Sequence, residues 1–322
     1  MKNFWFPFLA LAALLLAPRA SWAAGDTPPR KPNIVFILVD DLPYAGLSLT
    51  GNRWLETPSL DGLAKQGMFF SRAYSEVVCG PSRTSIMTGQ FAGRHGRTDN
   101  VPGVHPRALM LEPLLPPPAG GDGGKAFDEA AGARLPDPLR PDSYSLVKAL
   151  KADGYRTALS GKWHMTKQHL TPAEARGYGF DFCNEKADRS QPYRDTQRFT
   201  DDAVRFIQEN REQTFFLYLA FVAVHNPHIV PPEDKARWAK RLEGKNPGIS
   251  PDLLASLEFT DRSVGRVLDT LKELNLADDT IVVFAGDNGG VCKRVHGEEN
   301  QPLRMGKGSL YEGGVRVPLL LR

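Results

Sequence analysis

The sequence predicts an α/β fold, with a large, mostly parallel but mixed central sheet sandwiched by helices. Three observations lead there. Apolar, β-rich runs alternate with amphipathic runs along the chain, the order expected when helices cover both faces of a sheet. Several of those runs are continuously apolar, as in residues 34–39 and 280–285, which is the pattern of strands buried on both faces. A chain of 322 residues with 41% hydrophobic and 9% aromatic content can bury a large core.

The elements follow in order. Residues 34–39 form the first strand. Thr57 caps a short helix with Pro58 in its first turn, and Gly67 closes it. Residues 68–74 form a second strand, and Pro81 suits the first turn of a helix that opens at Cys79. Asp142-Ser143 cap a helix with Leu146, Ala149 and Leu150 on one side, stopped by Gly154. Residues 155–160 form the next strand. Thr200 starts a helix through Val204 and Ile207, and residues 215–224 return as a strand. Ser250-Pro251 cap a longer helix carrying Leu254, Leu257, Val264, Leu268 and Leu271. Residues 280–285 and 315–321 form the last strands. Residues 103–141 break this rhythm with Pro116-Pro117-Pro118, Gly120-Gly121 and Gly123-Gly124, and read as a loop or rim insertion.

The first 23 residues read as a secretory signal. Lys2 supplies the positive end, residues 8–16 the apolar run, and Ser21-Trp22-Ala23 the small-x-small cleavage site. The run is shorter than the ~20 apolar residues of a spanning helix, so no membrane anchor is expected after cleavage. The expected location is periplasmic or secreted. The formal charge of +3 balances 40 basic against 37 acidic residues, which is no footprint for nucleic acid. Three cysteines, Cys79, Cys183 and Cys292, do not make a disulfide framework.

Polar clusters stand directly after the expected strands, where open α/β sheets bind ligands. Asp40-Asp41 follow the first strand and Asp287-Asn288 follow the strand at 280–285. Singly, each pair reads as a helix cap or turn. Together, three carboxylates and an amide carbonyl suit one hard divalent cation, Ca²⁺ first and Mg²⁺ second. Gly161-Lys162-Trp163-His164 follow another strand, and a spacing of two places Lys162 and His164 on one face of extended chain. His225-Asn226-Pro227-His228 follow the strand at 215–224, and Lys307 precedes Tyr311-Glu312-Gly313-Gly314. A helix N-terminus at Cys79 favours an anion, and Arg83, two lysines and two histidines add donors for a compact oxyanion.

These motifs resemble the type I, formylglycine-dependent sulfatases of the alkaline phosphatase superfamily. The resemblance is carried in order by residues 31–41, by Cys79-Gly80-Pro81-Ser82-Arg83 with Thr88-Gly89, by residues 161–164, by residues 286–290 and by residues 307–314. It spans residues 31–322 apart from the insertion, within a catalytic domain taken as residues 24–322. It implies an alkaline-phosphatase-like fold whose usual C-terminal α/β subdomain is absent from this chain. It also implies that a maturation enzyme converts Cys79 to 3-oxoalanine, the formylglycine aldehyde. Asp40, Asp41, Asp287, Asn288 and converted Cys79 would hold one Ca²⁺. Arg83 and Lys162 would steady the aldehyde hydrate, Lys307 and His225 would bind sulfate oxygens, and His164 would take a proton in the second step.

The implied activity is that of an arylsulfatase-like hydrolase. One hydroxyl of the hydrate attacks sulfur while the alcohol leaves; the other loses its proton and collapses to C=O, expelling sulfate. The substrate would be a sulfated small molecule or glycan. Two alternatives stand beside this: a phosphatase or phosphodiesterase of the same superfamily, and an inactive truncated binding module. Asn288, where a His would favour a second metal, weighs against the first. If Cys79 is converted, Cys183 and Cys292 either pair or stay free.

Overall fold

Seven strands make one mixed sheet among the described residues of the computed structural model, which are 30–100, 139–166, 169–184, 192–245, 248–291 and 300–322. They are β1 (Asn33–Val39), β2 (Met68–Tyr74), β3 (Arg156–Gly161), β4 (Phe182–Cys183), β5 (Phe215–Phe221), β6 (Thr280–Gly286) and β7 (Arg316–Leu321). Their order is β2-β7-β6-β1-β5-β3-β4. β7 runs antiparallel to both its neighbours, and every other pair is parallel. The signal segment, residues 103–138 of the insertion, and residues 292–299 lie outside the described residues. Pro32–Arg322 form one compact unit, and no helix among the described residues is long and apolar enough to cross a membrane.

The helices are α1 (Pro58–Gln66), α2 (Cys79–Thr88), α3 (Ala92–His95), α4 (Leu146–Ala152), α5 (Pro172–Gly177), α6 (Pro192–Glu209), α7 (Pro232–Arg241), α8 (Pro251–Glu273) and α9 (Glu312–Val315). β5 shows why the apolar runs are continuous. Phe215, Leu217, Leu219 and Phe221 enter a core shared with α6, α7 and α8, through Phe199, Trp238 and Leu254 among others. Phe216, Tyr218 and Ala220 enter a second core on the opposite face, with Met87 of α2, Val147 of α4 and Ala175 of α5. Period-two alternation therefore persists, but both faces are covered. Each fully buried Phe or Leu contributes about 1.5–3 kcal/mol, so the sheet centre is the most strongly held part of the fold.

Four local expectations are corrected. Thr57 occupies the N-cap position of α1, but its hydroxyl is engaged with Ser48 and Asp61. The free N–H groups of that first turn go instead to Asp261 on α8, which accepts from Ser59 N at 3.2 Å and Leu60 N at 3.0 Å. A carboxylate from a distant helix outcompetes the local hydroxyl, because it accepts two bonds at once and carries charge. The cap of α4 is Ser145, which accepts from Lys148 N, rather than Asp142-Ser143. Val147 is its fully buried residue, and Leu146 and Leu150 pack partly buried against the same core, as expected. Thr200 lies within α6, which begins at Pro192; its hydroxyl bonds back to Thr196 O at 2.7 Å. β5 ends at Phe221, so residues 222–224 already belong to the loop leading to the site.

Candidate active site

The polar groups gather beyond the carboxyl ends of the parallel strands. Asp40 and Asp41 follow β1, Lys162 and His164 follow β3, His225 follows β5, and Asp287 and Asn288 follow β6. Register explains the convergence: Val39 pairs with Phe221 on one side and Gly286 on the other, so three strands end level. The segments are then stitched together, with Asp40 N to Ala223 O at 3.1 Å and Asp287 N to Val39 O at 3.1 Å.

Backbone strain finishes the arrangement. Successive strand residues point to opposite faces, so Asp40 and Asp41 would diverge on extended chain. Asp41 instead takes φ 57°, and one oxygen from each of Asp40 and Asp41 comes within 4.8 Å of a His225 ring nitrogen. His164 has φ 54°, which overturns the extended-chain reading of Lys162 and His164. Both are non-glycine residues in the left-handed region, a conformation costing of order 1–3 kcal/mol that concentrates at functional sites. Lys307 arrives on a loop that lies against the Asp287 turn. A Cβ on Gly289 would stand 1.8 Å from Gly313 O, so only glycine permits the approach. Lys307 N bonds Gly290 O and Gly289 N bonds Gly314 O, both at 2.9 Å.

Cys79 opens α2 with its side chain fully buried. An oxygen each from Asp40 and Asp287 and the sulfur of Cys79 lie within 4.8 Å of one another. Arg83, one turn along α2, donates from Nε to Asp287 Oδ2 at 2.9 Å and from Nη1 to Lys162 O at 2.9 Å. Lys162 Nζ stands 2.5 Å from Asp40 Oδ2, and Lys307 Nζ 2.6 Å from Asp41 Oδ1. His225 Nδ1 faces its neighbour's carbonyl, Asn226 O, at 2.5 Å, which turns Nε2 toward Asp41 Oδ2 at 3.6 Å. The structure thus brings together Asp40, Asp41, Cys79, Arg83, Lys162, His225, Asp287, Asn288 and Lys307 through direct contacts or ligand-range spacing. His164 joins them by electrostatics, since Lys162, Arg83 and Asp40 all act on its ring.

Three buried carboxylates around one point strain against one another. Burial works against ionisation of Asp40, but Lys162 and Arg83 hold its pKa well below the usual carboxylate range. Burial and the charge of Asp40 push Asp287 up to about 7. Burial and Asp40 also push the Cys79 thiol up to about 12, so as a cysteine it is a neutral thiol at neutral pH rather than a reactive thiolate. Burial, with Lys162 and Arg83, drives His164 down to about 2, leaving a neutral imidazole whose buried Nδ1 makes no hydrogen bond. Burial opposes the charge on Lys307, yet Asp41 keeps its pKa above that of an ordinary lysine.

The donor set fits a hard cation. Asp40 Oδ1, Asp41 Oδ2 and Asn288 Oδ1 are buried oxygens without a hydrogen-bond partner, an expensive state unless something else is bound. All three are oxygen donors from two adjacent strand ends, the chemistry of Ca²⁺ or Mg²⁺. Asn288 Nδ2 donates to Asp41 Oδ1 at 2.8 Å, which turns its carbonyl free.

Sequence reasoning missed a supporting layer. Asn300 clasps Gly290 through both ends of its amide, Oδ1 to Gly290 N at 3.1 Å and Nδ2 to Gly290 O at 2.9 Å. Tyr218, buried on β5, has its hydroxyl pushed up to about 12 by burial, with Arg83 close enough to oppose this. Asn100 holds the turn beside Cys79 by accepting from Gly80 N, and Arg97 bonds Asn100 O and His164 O. None stands in a recognisable motif, and a buried tyrosine in an apolar strand reads simply as core. Lys293, Arg294 and His296, which follow the Asp287 motif in the sequence, lie outside the described residues, as does Cys292; Cys183 is a free thiol.

The comparisons with known proteins agree with one another. The sulfatase family model matches residues 32–322. A sulfatase of Formosa agariphila is 29% identical over 98% of this chain and 68% of its own length. The N-acetylgalactosamine-6-sulfatase of Mus musculus is 29% identical over 95% of this chain and 60% of its own. The crystal structure of Ps i-CgsB in complex with k-i-k-neocarrahexaose superposes with a TM-score of 0.69 at 30% identity, over 91% of this chain and 66% of that one. A phosphonate monoester hydrolase of Agrobacterium radiobacter, at 16% identity and TM-score 0.62, shares the fold. With nine of its ten expected site residues in mutual contact or ligand range, and with a family match from Pro32 to the last residue, this chain belongs to the sulfatase family of the alkaline phosphatase superfamily.

Proposed function

We propose that this chain is the catalytic part of an exported sulfatase that hydrolyses sulfate monoesters of glycans to alcohol and inorganic sulfate. The observation that carries the reading is the placement of Cys79 at a helix mouth, within 4.8 Å of Asp40 and Asp287 and beside three orphaned oxygens. A buried neutral thiol is a weak nucleophile, whereas an aldehyde hydrate at that carbon offers one hydroxyl to attack and a second to expel the product. The glycan part rests on relatives: a neocarrahexaose complex and an N-acetylgalactosamine-6-sulfatase are among the similar proteins. Export rests on the signal-like residues 1–23.

The residues divide the work. Asp40, Asp41, Asp287 and Asn288 would hold one Ca²⁺, which when bound makes a hydroxyl at residue 79 more acidic and offsets the sulfate charge. Lys307 and His225 line the side of Asp41 where a sulfate group would enter, and place donors for its non-bridging oxygens. Lys162 and Arg83 flank residue 79 and steady its hydroxyls. In the first half one hydroxyl passes its proton to the Asp287 carboxylate, in ligand range of residue 79, and its oxygen bonds sulfur. The bond from sulfur to the ester oxygen breaks with its pair on that oxygen, and the alcohol leaves with a proton from Lys307 or His225. In the second half His164 takes the proton of the remaining hydroxyl. Its O–H electrons close the C=O, and the bond to sulfate breaks with its pair on the sulfate. A dianion leaving beside His164 raises the imidazole's proton affinity above its resting value.

The test begins with peptide mass analysis of residue 79 after co-expression with a formylglycine-generating maturation enzyme. The expected result is loss of the thiol mass and turnover of a chromogenic aryl sulfate. Intact cysteine in every peptide sinks the proposal. Metal analysis should find one calcium ion per chain, lost in Asp287→Ala, and two zinc ions would point to phosphoryl transfer instead. No turnover together with specific glycan retention would mark a binding module.

A further inference from the structure

Arg97 is almost completely buried, at 2% exposure, and its guanidinium spans two segments of the site. Nη1 donates to Met165 O, and Nη2 donates to Asn100 O at 2.6 Å and to His164 O at 3.4 Å. On its other side it lies against Gly80, the residue after Cys79. A Cβ on Gly80 would stand 2.8 Å from both Nε and Nη2, so the guanidinium rests where a side chain would be. Asn100 completes the grip, its Oδ1 accepting from Gly80 N at 2.9 Å. Arg97 is itself anchored to α2: its own N–H donates to His95 Nδ1 at 3.1 Å, and His95 Nε2 meets Ser85 Oγ at 3.0 Å. Because Nδ1 accepts, Nε2 carries the proton and donates to Ser85, so this pair is a tether rather than a nucleophile with its base.

We propose that Arg97 is a positioning residue for sulfate release, clamping the helix mouth that carries residue 79 to the left-handed turn that carries His164. The inference rests on the sulfate-ester reading above. His164 holds φ 54°, a conformation that surrounding contacts must impose, and the carbonyls of His164 and Met165 are both held by this one guanidinium. A planar fork reaches several acceptors in fixed geometry, which a lysine cannot reproduce. The clamp therefore sets where the imidazole stands relative to the hydroxyl whose proton it removes. The first half of the reaction also uses residue 79, but Arg83 ties that helix separately to Asp287 and to Lys162 O, so the larger loss falls on the second half.

Two measurements test it, on Arg97→Gln, Arg97→Lys and His164→Ala. The first is hydrogen exchange on the full chain with Cys79 unconverted. Arg97→Gln should speed exchange in residues 79–83 and 163–166 together while β5 and β6 keep their protection. The second is the time course of alcohol and sulfate release from an aryl sulfate by converted enzyme. Arg97→Gln should give a burst of alcohol equal to the converted sites, followed by a steady state about 10²-fold slower, the scale expected for a group misplaced by about 1 Å. Arg97→Lys should recover part of that loss. In a His164→Ala background the same Arg97→Gln change should cost little, because the group it positions is gone. Unaltered exchange in the two segments overturns the clamp. Equal losses in the two backgrounds, or slowing without a burst, overturn its role in sulfate release. A converted parent that releases no sulfate overturns the sulfate-ester reading instead, and leaves the exchange result to decide the clamp alone.

Discussion

At the centre of the sheet every side chain of β5 is buried, whereas at the margin β2 leaves Met68, Phe70 and Tyr74 exposed at 61%, 38% and 56%. The pairings differ in the same way. β1 runs in unbroken register with both β5 and β6, while β2 meets β7 with a shift between Phe70 and Ala73. The candidate site follows the first region. Its strand-borne residues come from β1, β3, β5 and β6, and none comes from β2. Groups that act by preorganised charge need supports that do not yield, and only strands packed on both faces supply them. Left-handed backbone is tolerated at Asp41 and His164 because the strands before them are over-determined by packing.

The contrast can be broken most forcefully at its strong end. Phe221→Ala, at the level where β1, β5 and β6 finish together, should cost about 3–5 kcal/mol, seen as a lowered denaturant midpoint with an unchanged slope. Next comes the charge layer: Lys307→Ala should lower kcat for an aryl sulfate by about 10²–10³-fold, the scale for losing one preorganised donor. Residual activity near that of the parent would show that Lys307 meets Asp41 and not the substrate.

A smaller effect concerns His164 and pH. Its folded-state pKa lies far below its ordinary value of 6.5, so its stabilising share is complete above pH 6.5 and is lost as pH falls toward 2. Between pH 8 and pH 5 the parent should lose about 2 kcal/mol of stability more than His164→Gln. Parallel stability curves for the two proteins would show the imidazole to be solvated. Asp287 works in the opposite sense. Its raised pKa favours the metal-free fold below the unfolded carboxylate value and loses that share as pH rises through about 7. The comparison with His164→Gln cancels this. At the weak end, Phe70→Ser should change stability by no more than about 0.5 kcal/mol, measured by the same denaturant midpoint. A loss of several kcal/mol there would mean the margin is held as tightly as the centre.

Much of this architecture was legible in the chain. β1, β2, β3, β6 and β7 fall within a residue of the expected runs. For β1 and β6 the reason is that a strand covered on both faces is apolar nearly throughout, whereas β2 does so although most of it is exposed. The Asp40-Asp41, Cys79–Arg83, Lys162–His164, His225, Asp287-Asn288 and Lys307 clusters announced themselves as polar groups where apolar runs stop. What misled was local capping logic. Thr57 and Asp142-Ser143 are good caps by residue type, yet Asp261 and Ser145 hold those turns, and a distant carboxylate leaves no mark near the helix it caps. Thr200 misled for a related reason, since a hydroxyl can bond back within a helix as readily as it can start one.

The sequence by itself determined the residue types of the site and the strands that carry them, since both follow from hydropathy and order along the chain. Tertiary structure alone decided that Asp40 and Asp41 turn the same way and that Asn288 frees its carbonyl. It alone brought Gly289 against the Gly313 backbone and Arg97 across from Gly80 to His164. The physical reason is common to all four. Each depends on a backbone dihedral or a contact between segments far apart in sequence, and neither has any period that a run of residues could display.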